Sequence, residues 1–166
     1  MLQPVRRRTW APRGKTPIQK SWDRRERLSV AAAITVSPRR RRMGLYFRIH
    51  SHNIRFGEAI QLIMLVHRHL GRRFILVLDR YSVHRKAVRL LCGKHPAWFD
   101  AEWLPAYAPD LNPVEQVWNH SKYSDLANFI PDDVDHLQRE LDGSIRGQCC
   151  NVDLLRSFFK HAGLSL

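Results

Sequence analysis

The chain of 166 residues is poor in cysteine and has no long apolar run. Its three cysteines, Cys92, Cys149 and Cys150, include no CxxC pair, which argues against a disulfide framework and against a zinc site. Low cysteine usage of this kind fits a reducing, intracellular setting. No apolar run approaches the roughly 18 residues of a membrane span, and the N-terminus lacks the apolar core of a secretory signal. We therefore expect an intracellular protein with no membrane partner.

Acidic residues are nearly absent from the first third of the chain. Residues 1–55 contain 15 Lys and Arg and 2 Asp and Glu, a net charge of +13, whereas residues 56–166 contain 13 of each. The planar guanidinium of arginine suits bidentate contact with phosphate. We predict a surface that faces nucleic acid; the alternative is a solvated basic face or a flexible tail. The predicted phosphate contacts are Arg6, Arg7, Arg8, Arg39, Arg40, Arg41 and Arg42.

The length and composition fit one folded domain spanning residues 1–166. A chain of this size buries roughly 70% of the surface that its unfolded form exposes, which is enough for a core of its own. The order of predicted elements is strands, helix, strand, helix, strand and helices, which indicates an α/β sheet with mixed strand directions. We predict strands at residues 28–36, 45–49, 74–78 and 99–104, and helices at residues 57–70, 83–92, from about 113, around 134–145 and after Asn151, which is the expected N-cap. A turn is expected at residues 12–14, and "SPRRRRMG" should form a basic hairpin tip between the first two strands. The expected apolar faces are Ile60, Ile63, Met64, His67 and Leu70 on the first helix, and Val134, Leu137, Leu141 and Ile145 on the fourth.

The predicted strand "FILVL" at residues 74–78 is an unbroken apolar run of five residues. A strand that is buried on both faces has this pattern, so we expect it in the middle of a sheet flanked by helices. Asp79 directly follows it, at the end of the strand where open α/β sheets gather their chemistry. The alternative is that Asp79 only forms a turn.

Glu115 lies in "YAPDLNPVEQVW", residues 107–118, and two interpretations compete for it. Asn112 is a good N-cap, Pro113 fits the first helical position, and Glu115 then stands where a capping box places its acid. Capping alone would explain Glu115, and Asp110 could be an ordinary loop acid. The second interpretation pairs Glu115 with Asp79, because enzymes that cut phosphodiesters with divalent ions need carboxylates that converge from separate elements.

Three stretches of the chain, "ILVLDRYSVH", "WLPAYAPDLNPVEQVWNHSKY" and "DLANFIPDD", resemble the DDE-type transposases of the mariner-like superfamily found in bacterial insertion sequences. The resemblance extends over nearly the whole chain. It implies an RNase H-like fold and an activity of DNA strand cleavage followed by strand transfer. It also implies Mg²⁺ or Mn²⁺ as cofactor, with two ions held in the complete site by two Asp and one Glu or Asp.

The resemblance assigns roles residue by residue. Asp79 matches the second acid and Glu115 the third, so both are the expected catalytic residues and metal ligands. His84 matches a His commonly seen after the second acid, with a structural hydrogen bond as the alternative role. Asn112 matches the residue that opens the helix, and Arg80 departs from the family, in which a small polar residue often follows the Asp. Trp118 is expected to pack in the core.

The family's first acid has no counterpart in this sequence. It belongs to a first strand before the segment "RRTWAPRGKTP", and we therefore expect a sheet that lacks this strand and a chain truncated at its N-terminus. Asp23 and Glu26 are poor substitutes, because both lie in the basic stretch "SWDRRER". A degenerate remnant, a downstream reading frame or a misplaced start codon would each explain the difference.

The resemblance thus implies the catalytic domain of an insertion-sequence transposase, impaired when it acts alone. The alternative is a catalytically dead, basic fragment that binds DNA or interacts with an intact transposase. The implied partners are transposon ends and target DNA, together with a second copy or a full-length transposase in a dimer. The implied location is the bacterial cytoplasm, at the nucleoid when the protein is bound to DNA.

Overall fold

The computed structural model describes residues 10–15 and 28–166. The α/β class with strands of both directions is found as predicted. The strands are β1 (Ser29–Val36), β2 (Met43–His50), β3 (Phe74–Leu78) and β4 (Phe99–Trp103). The helices are α1 (Phe56–Leu70), α2 (Ser82–Lys94), α3 (Pro113–His120), α4 (Val134–Cys149) and α5 (Val152–His161). A 3₁₀ turn, Pro109–Leu111, precedes α3, and a π-helical turn, Ser121–Asp125, follows it.

β1 and β2 form an antiparallel hairpin with the register Val36↔Met43 at its closed end. The amide of Ser37 donates to the carbonyl of Arg42 at 2.8 Å, and Arg40 adopts the left-handed conformation with φ 55°. The predicted basic hairpin tip is therefore confirmed, although β2 begins two residues before the predicted start at 45. The predicted turn near the start of the chain is also present, because the amide of Lys15 donates to the carbonyl of Pro12 at 3.0 Å.

β3 and β4 form a parallel pair, and only one face of this pair is covered. Phe74, Leu76 and Phe99 pack on that face against the side chains of α1 and α2. On the opposite face Ile75 is 68% exposed and Val77 is 56% exposed. The prediction that this strand is buried on both faces was wrong, because helices cover a single side of β3 in the part of the chain that the structure describes.

Within the described ranges, the four strands form two separate two-stranded sheets. β1 pairs only with β2, and β3 pairs only with β4, so each sheet keeps an edge that has no strand beside it there. One continuous mixed sheet would need a further strand at these edges.

Two hydrophobic clusters accompany the two sheets. The hairpin cluster joins the β1–β2 hairpin to α3, α4 and α5, and its members with no exposed surface are Val117, Leu141, Ile145 and Leu155. The parallel-pair cluster joins β3 and β4 to α1 and α2 around Ile63 and Leu91. α1 also contacts both strands of the hairpin and so links the two clusters.

The helices bury the apolar faces that the sequence predicts, except that the buried face of α1 differs from the predicted one. The predicted stripe of α4 and the predicted N-cap of α5 are confirmed, since Leu137 is buried and the Asn151 side chain accepts from the amide of Leu154 at 2.9 Å. Of the predicted α1 face, Ile63 is buried and Ile60 packs against the core, but the place of Met64 on that face was wrong, because Met64 is 39% exposed. The stripe buried there is instead Ala59, Leu62, Ile63 and Val66. Among the described helices, none is both long and apolar enough to cross a membrane.

Candidate functional site

Asp79 lies immediately after β3, and its carboxylate is held by two hydrogen bonds. Oδ1 accepts from the amide of Tyr81 at 3.0 Å and from Nδ1 of His84 at 2.5 Å. The first bond is the local turn contact that an Asp commonly makes, so the turn-forming role is present. The second bond comes from a helix, and it fixes the direction of the carboxylate. Both bonds use the same oxygen, and no described group donates to Oδ2.

His84 lies in the first turn of α2, and its contacts explain its orientation. The imidazole is partly buried, donates to Asp79 and meets the edge of the Tyr81 ring with centroids 5.8 Å apart. The structural hydrogen bond foreseen as an alternative for His84 is thus made, and its acceptor is the candidate acid itself. Sequence reasoning does not single out Tyr81, because a donating backbone amide carries no residue-type signal.

Glu115 lies in the first turn of α3, and its carboxylate does not cap the helix. The Asn112 side chain accepts from the amide of Val114 at 3.2 Å, so the predicted N-cap is confirmed. The other predicted bond of the capping box, from the amide of Asn112 to the Glu115 carboxylate, is absent. That amide instead donates to the carbonyl of Pro109 at 2.9 Å. A 3₁₀ turn directly before α3 supplies that carbonyl, and the carboxylate of Glu115 remains available for another role.

The electrostatics of Glu115 couple it to Asp79. Burial raises the pKa of Glu115 above its ordinary value, and the negative charge of Asp79 raises this pKa further. Such repulsion weakens with distance, because screening suppresses interactions between distant exposed charges. Asp79 after β3 and Glu115 in α3, with 35 residues between them in the chain, are therefore electrostatically coupled.

The loops around the acids are joined by Arg80. Its Nε donates to the carbonyl of Leu104 at 3.2 Å, and the amide of Leu104 donates to the carbonyl of Leu78 at 2.8 Å. Arg80 therefore holds the loop that leads to α3 beside the end of β3. In that loop Tyr107 is fully exposed and has a φ of 58°, a conformation that is uncommon outside glycine.

Two carboxylates are fewer than a complete three-acid site contains. Among the described residues, no group of three or more His, Cys, Asp or Glu side chains is placed to hold a metal ion. The candidate substitutes Asp23 and Glu26 lie outside the described residues, as do Arg6, Arg7 and Arg8. Oxygen ligands of this kind suit Mg²⁺ or Mn²⁺, which keep several waters and need few protein carboxylates.

The hairpin arginines lie at a different place. Arg39, Arg40, Arg41 and Arg42 are exposed at the tip between β1 and β2. The guanidinium of Arg40 donates to the carbonyl of Ser165 at 3.4 Å, and Arg156 donates to the carbonyl of Arg40 at 3.5 Å. The tip thus lies against α5 and the last residues of the chain.

Comparison with known proteins identifies related families and folds. Residues 1–138 match the family model described as DDE superfamily endonuclease. The fold is similar to a chain in the crystal structure of the Mos1 strand transfer complex, with a TM-score of 0.61 and 16% sequence identity. The similarity covers 98% of this chain and 47% of that chain, so this chain spans about half of its length. No curated protein sequence gives a significant match.

Proposed function

Because the chain belongs to the DDE superfamily endonucleases, we propose that it is the catalytic part of a DNA transposase whose divalent-metal site includes Asp79 and Glu115. The observation that supports this proposal is the pKa of Glu115, which burial raises and the negative charge of Asp79 raises further. Two carboxylates that repel each other form a site that a cation stabilises. The similarity to a strand transfer complex supports a DNA substrate.

The residues of this chain would prepare the site in distinct ways. Asp79 and Glu115 would hold the ion, and His84 would keep Asp79 in one orientation through the 2.5 Å bond. Asn112 would fix the start of α3 and thereby the position of Glu115. Divalent ions, when bound, supply stabilisation of the attacking and leaving oxygens of a phosphodiester. The exposed arginines of the hairpin tip would contact phosphates, together with Arg6, Arg7 and Arg8.

A two-carboxylate site should be impaired when the chain acts alone. The family pattern has three acids, and groups that act as a unit lose most of their effect when one is removed. We propose that a third acid comes from residues outside the described ranges or from a separate polypeptide. We further propose one domain over residues 1–166, function as a homodimer or with a full-length transposase, and a location at the bacterial nucleoid.

A second candidate function is a catalytically inactive fragment that binds DNA or an intact transposase. The observation that favours it is the lack of a three-ligand cluster in the described part of the chain. Both candidates predict DNA binding, but only the first predicts a specific cation site. Binding of the cation therefore separates them even if cleavage is too slow to measure.

The test measures Mn²⁺ binding by calorimetry and Mn²⁺-dependent plasmid nicking in parallel. We expect Asp79→Asn and Glu115→Gln to abolish both, and Asp110→Asn to leave both unchanged. Asp110 is a matched control, because it is an exposed acid in the 3₁₀ turn just before α3. Binding and nicking that survive both site substitutions would exclude this site, and binding without nicking would favour the inactive fragment.

A further inference from the structure

A basic segment begins next to the candidate site, and the zero net charge of residues 56–166 does not reveal it. Residues 80–99 contain five Lys and Arg and no Asp or Glu, although residues 56–166 as a whole have no net charge. The acids that balance this segment lie mostly in the later part of the chain, around α3 and α4. Four of these five basic residues and no acid lie in α2 itself, which therefore has a net charge of +4.

The basic side chains of α2 face away from the core. Ala87, Val88 and Leu91 are buried in the parallel-pair cluster. Arg85 and Arg89 are one helical turn apart on the opposite face, and both are exposed. Lys86 lies beside them, with its ammonium 3.9 Å from the centroid of the Phe56 ring. Ser82 and Gly93 complete this outward face, which we call the α2 face, and their small size leaves it unobstructed.

These charges are not neutralised by nearby acids. Within residues 28–166, neither Arg85 nor Arg89 forms an ion pair. The hairpin-tip arginines form no ion pair in this range either, and the side chain of Arg40 donates to the carbonyl of Ser165. The α2 face therefore offers guanidinium groups that are ready for an external polyanion.

The α2 face also runs directly into the site. α2 starts three residues after Asp79, and His84 in its first turn bonds to that acid. The helix has 13 residues and is about 20 Å long. A duplex segment of that length carries about six phosphates on each strand. A strand lying along the α2 face would thus have its backbone directed toward Asp79 and Glu115.

We propose that the α2 face, formed by Ser82, Arg85, Lys86, Arg89 and Gly93, is the surface on which duplex DNA lies as it enters the site. This inference rests on the proposed function, because it takes DNA as the substrate. It assigns DNA contact to α2 in addition to the arginine clusters of the first third.

The test compares three double variants, each of which removes two positive charges. Arg85→Gln with Arg89→Gln changes the α2 face, and Arg39→Gln with Arg41→Gln changes the hairpin tip. Arg68→Gln with Arg139→Gln is the matched control, since both residues are exposed and lie on other helices. Binding of a short DNA duplex is measured by fluorescence anisotropy over a range of salt concentrations, without divalent ions.

We expect the α2 variant to reduce the slope of log K against log salt by about 2, because each lost phosphate contact removes about one unit. The control should change the slope by much less than one unit. A slope in the α2 variant equal to that of the control would overturn the proposal. So would binding of polyglutamate as tight as that of the duplex, which would indicate an acidic protein partner.

A failure of the α2 proposal and a failure of the proposed function give different experimental results. DNA binding without divalent ions does not depend on the carboxylate site, so Asp79→Asn should retain the full salt slope. Nicking that resists the site substitutions would reject the proposed site and leave the α2 result standing. Conversely, wild-type nicking with an unchanged α2 slope would reject the α2 face alone.

Discussion

At the residue scale, the electrostatic coupling of Asp79 and Glu115 is the central feature, and it can be tested without any catalytic assay. We expect Asp79→Asn to lower the pKa of Glu115 toward its ordinary value, because the substitution removes a negative charge that raises it. An NMR titration of the Glu115 side-chain carboxyl, in the absence of divalent ions, would measure the change. The substitution Asp110→Asn serves as a control, and the same pKa in all three proteins would show that the acids are not neighbours.

The bond from His84 to Asp79 leads to a second expectation at this scale. We expect His84→Ala to weaken Mn²⁺ binding about 10- to 100-fold, the usual cost of losing a group that orients a metal ligand. Calorimetric titration measures the affinity. His136→Ala is a matched control, because His136 in the first turn of α4 bonds at 3.0 Å to Asp132, which lies just before that helix. Equal affinities in wild type and His84→Ala would mean that the bond is only structural.

At the element scale, the N-terminus of α1 carries the capping box that α3 lacks. The Glu58 carboxylate accepts from its own amide and from the amide of Arg55, the latter at 2.8 Å, and it also bonds to His52. These contacts lower the pKa of Glu58 from 4.5 to about 2. Because the folded-state pKa is depressed, the stability from ionised Glu58 is present above pH 4.5 and is lost as pH falls toward 2.

Glu58→Gln should therefore be less stable than wild type at neutral pH and should approach it as the pH falls below 4.5. Urea unfolding at a series of pH values gives the difference in free energy directly. Glu140→Gln, at an exposed position in the middle of α4, controls for the general effect of removing one negative charge. A stability difference that does not change with pH would show that the carboxylate charge does not stabilise this helix end.

The π-helical turn after α3 is held by a buried polar network. Ser121 is fully buried, and its hydroxyl contacts Ser144 and Gln148, each at 2.8 Å. We expect Ser121→Ala to lower the free energy of unfolding by about 1 to 3 kcal/mol, because buried partners then lose a hydrogen bond. Ser157→Ala on the exposed face of α5 should change it by less than about 0.5 kcal/mol. Similar urea midpoints for the two variants would contradict this account.

Most elements were predictable because their apolar spacing is strong, and the errors have identifiable causes. The stripe of α4 and the cap at Asn151 depend on local sequence alone. Burial of both faces of β3 depends on what packs against the strand, and its residues do not encode that. The capping box failed for a similar reason: the preceding 3₁₀ turn supplies the carbonyl that satisfies Asn112.

The candidate site was likewise predictable only in part. Asp79 and Glu115 were predicted from their places after a strand and at a helix start, and His84 from the family resemblance. The structure bonds His84 to Asp79, and the charge of Asp79 raises the pKa of Glu115 in addition to the effect of burial. The contribution of Tyr81 is made by a backbone amide, which no motif reveals. The α2 face was not predicted from the sequence. Residues 56–166 contain equal numbers of acidic and basic residues, so their net charge of zero does not show that the basic residues of α2 are grouped together.

At the scale of the whole molecule, the division into two sheets leaves apolar surface in solvent. Ile75 is 68% exposed and Val77 56% exposed on a strand whose outer edge has no partner in the described part of the chain. Such edges favour association with other strands, and charged side chains on them prevent it. We therefore expect the purified chain to self-associate and expect Ile75→Lys to shift it toward monomer.

Sedimentation velocity over a range of protein concentrations would measure this association. Gln61→Lys adds the same charge at an exposed position on α1 and should not change the distribution. A wild-type chain that remains monomeric at every concentration would show that this face is covered in solution.

Asp79 and Glu115 depend on different cores: β3 belongs to the parallel-pair cluster and α3 to the hairpin cluster. Packing inside each core determines whether the chain folds, whereas the fit between the cores sets the separation of the acids. A substitution can therefore remove activity without preventing the chain from folding. Substitutions where α1 meets the hairpin would remove activity while the melting temperature stays the same. A gene copy that is no longer under selection for activity would accumulate such substitutions before its product lost the fold.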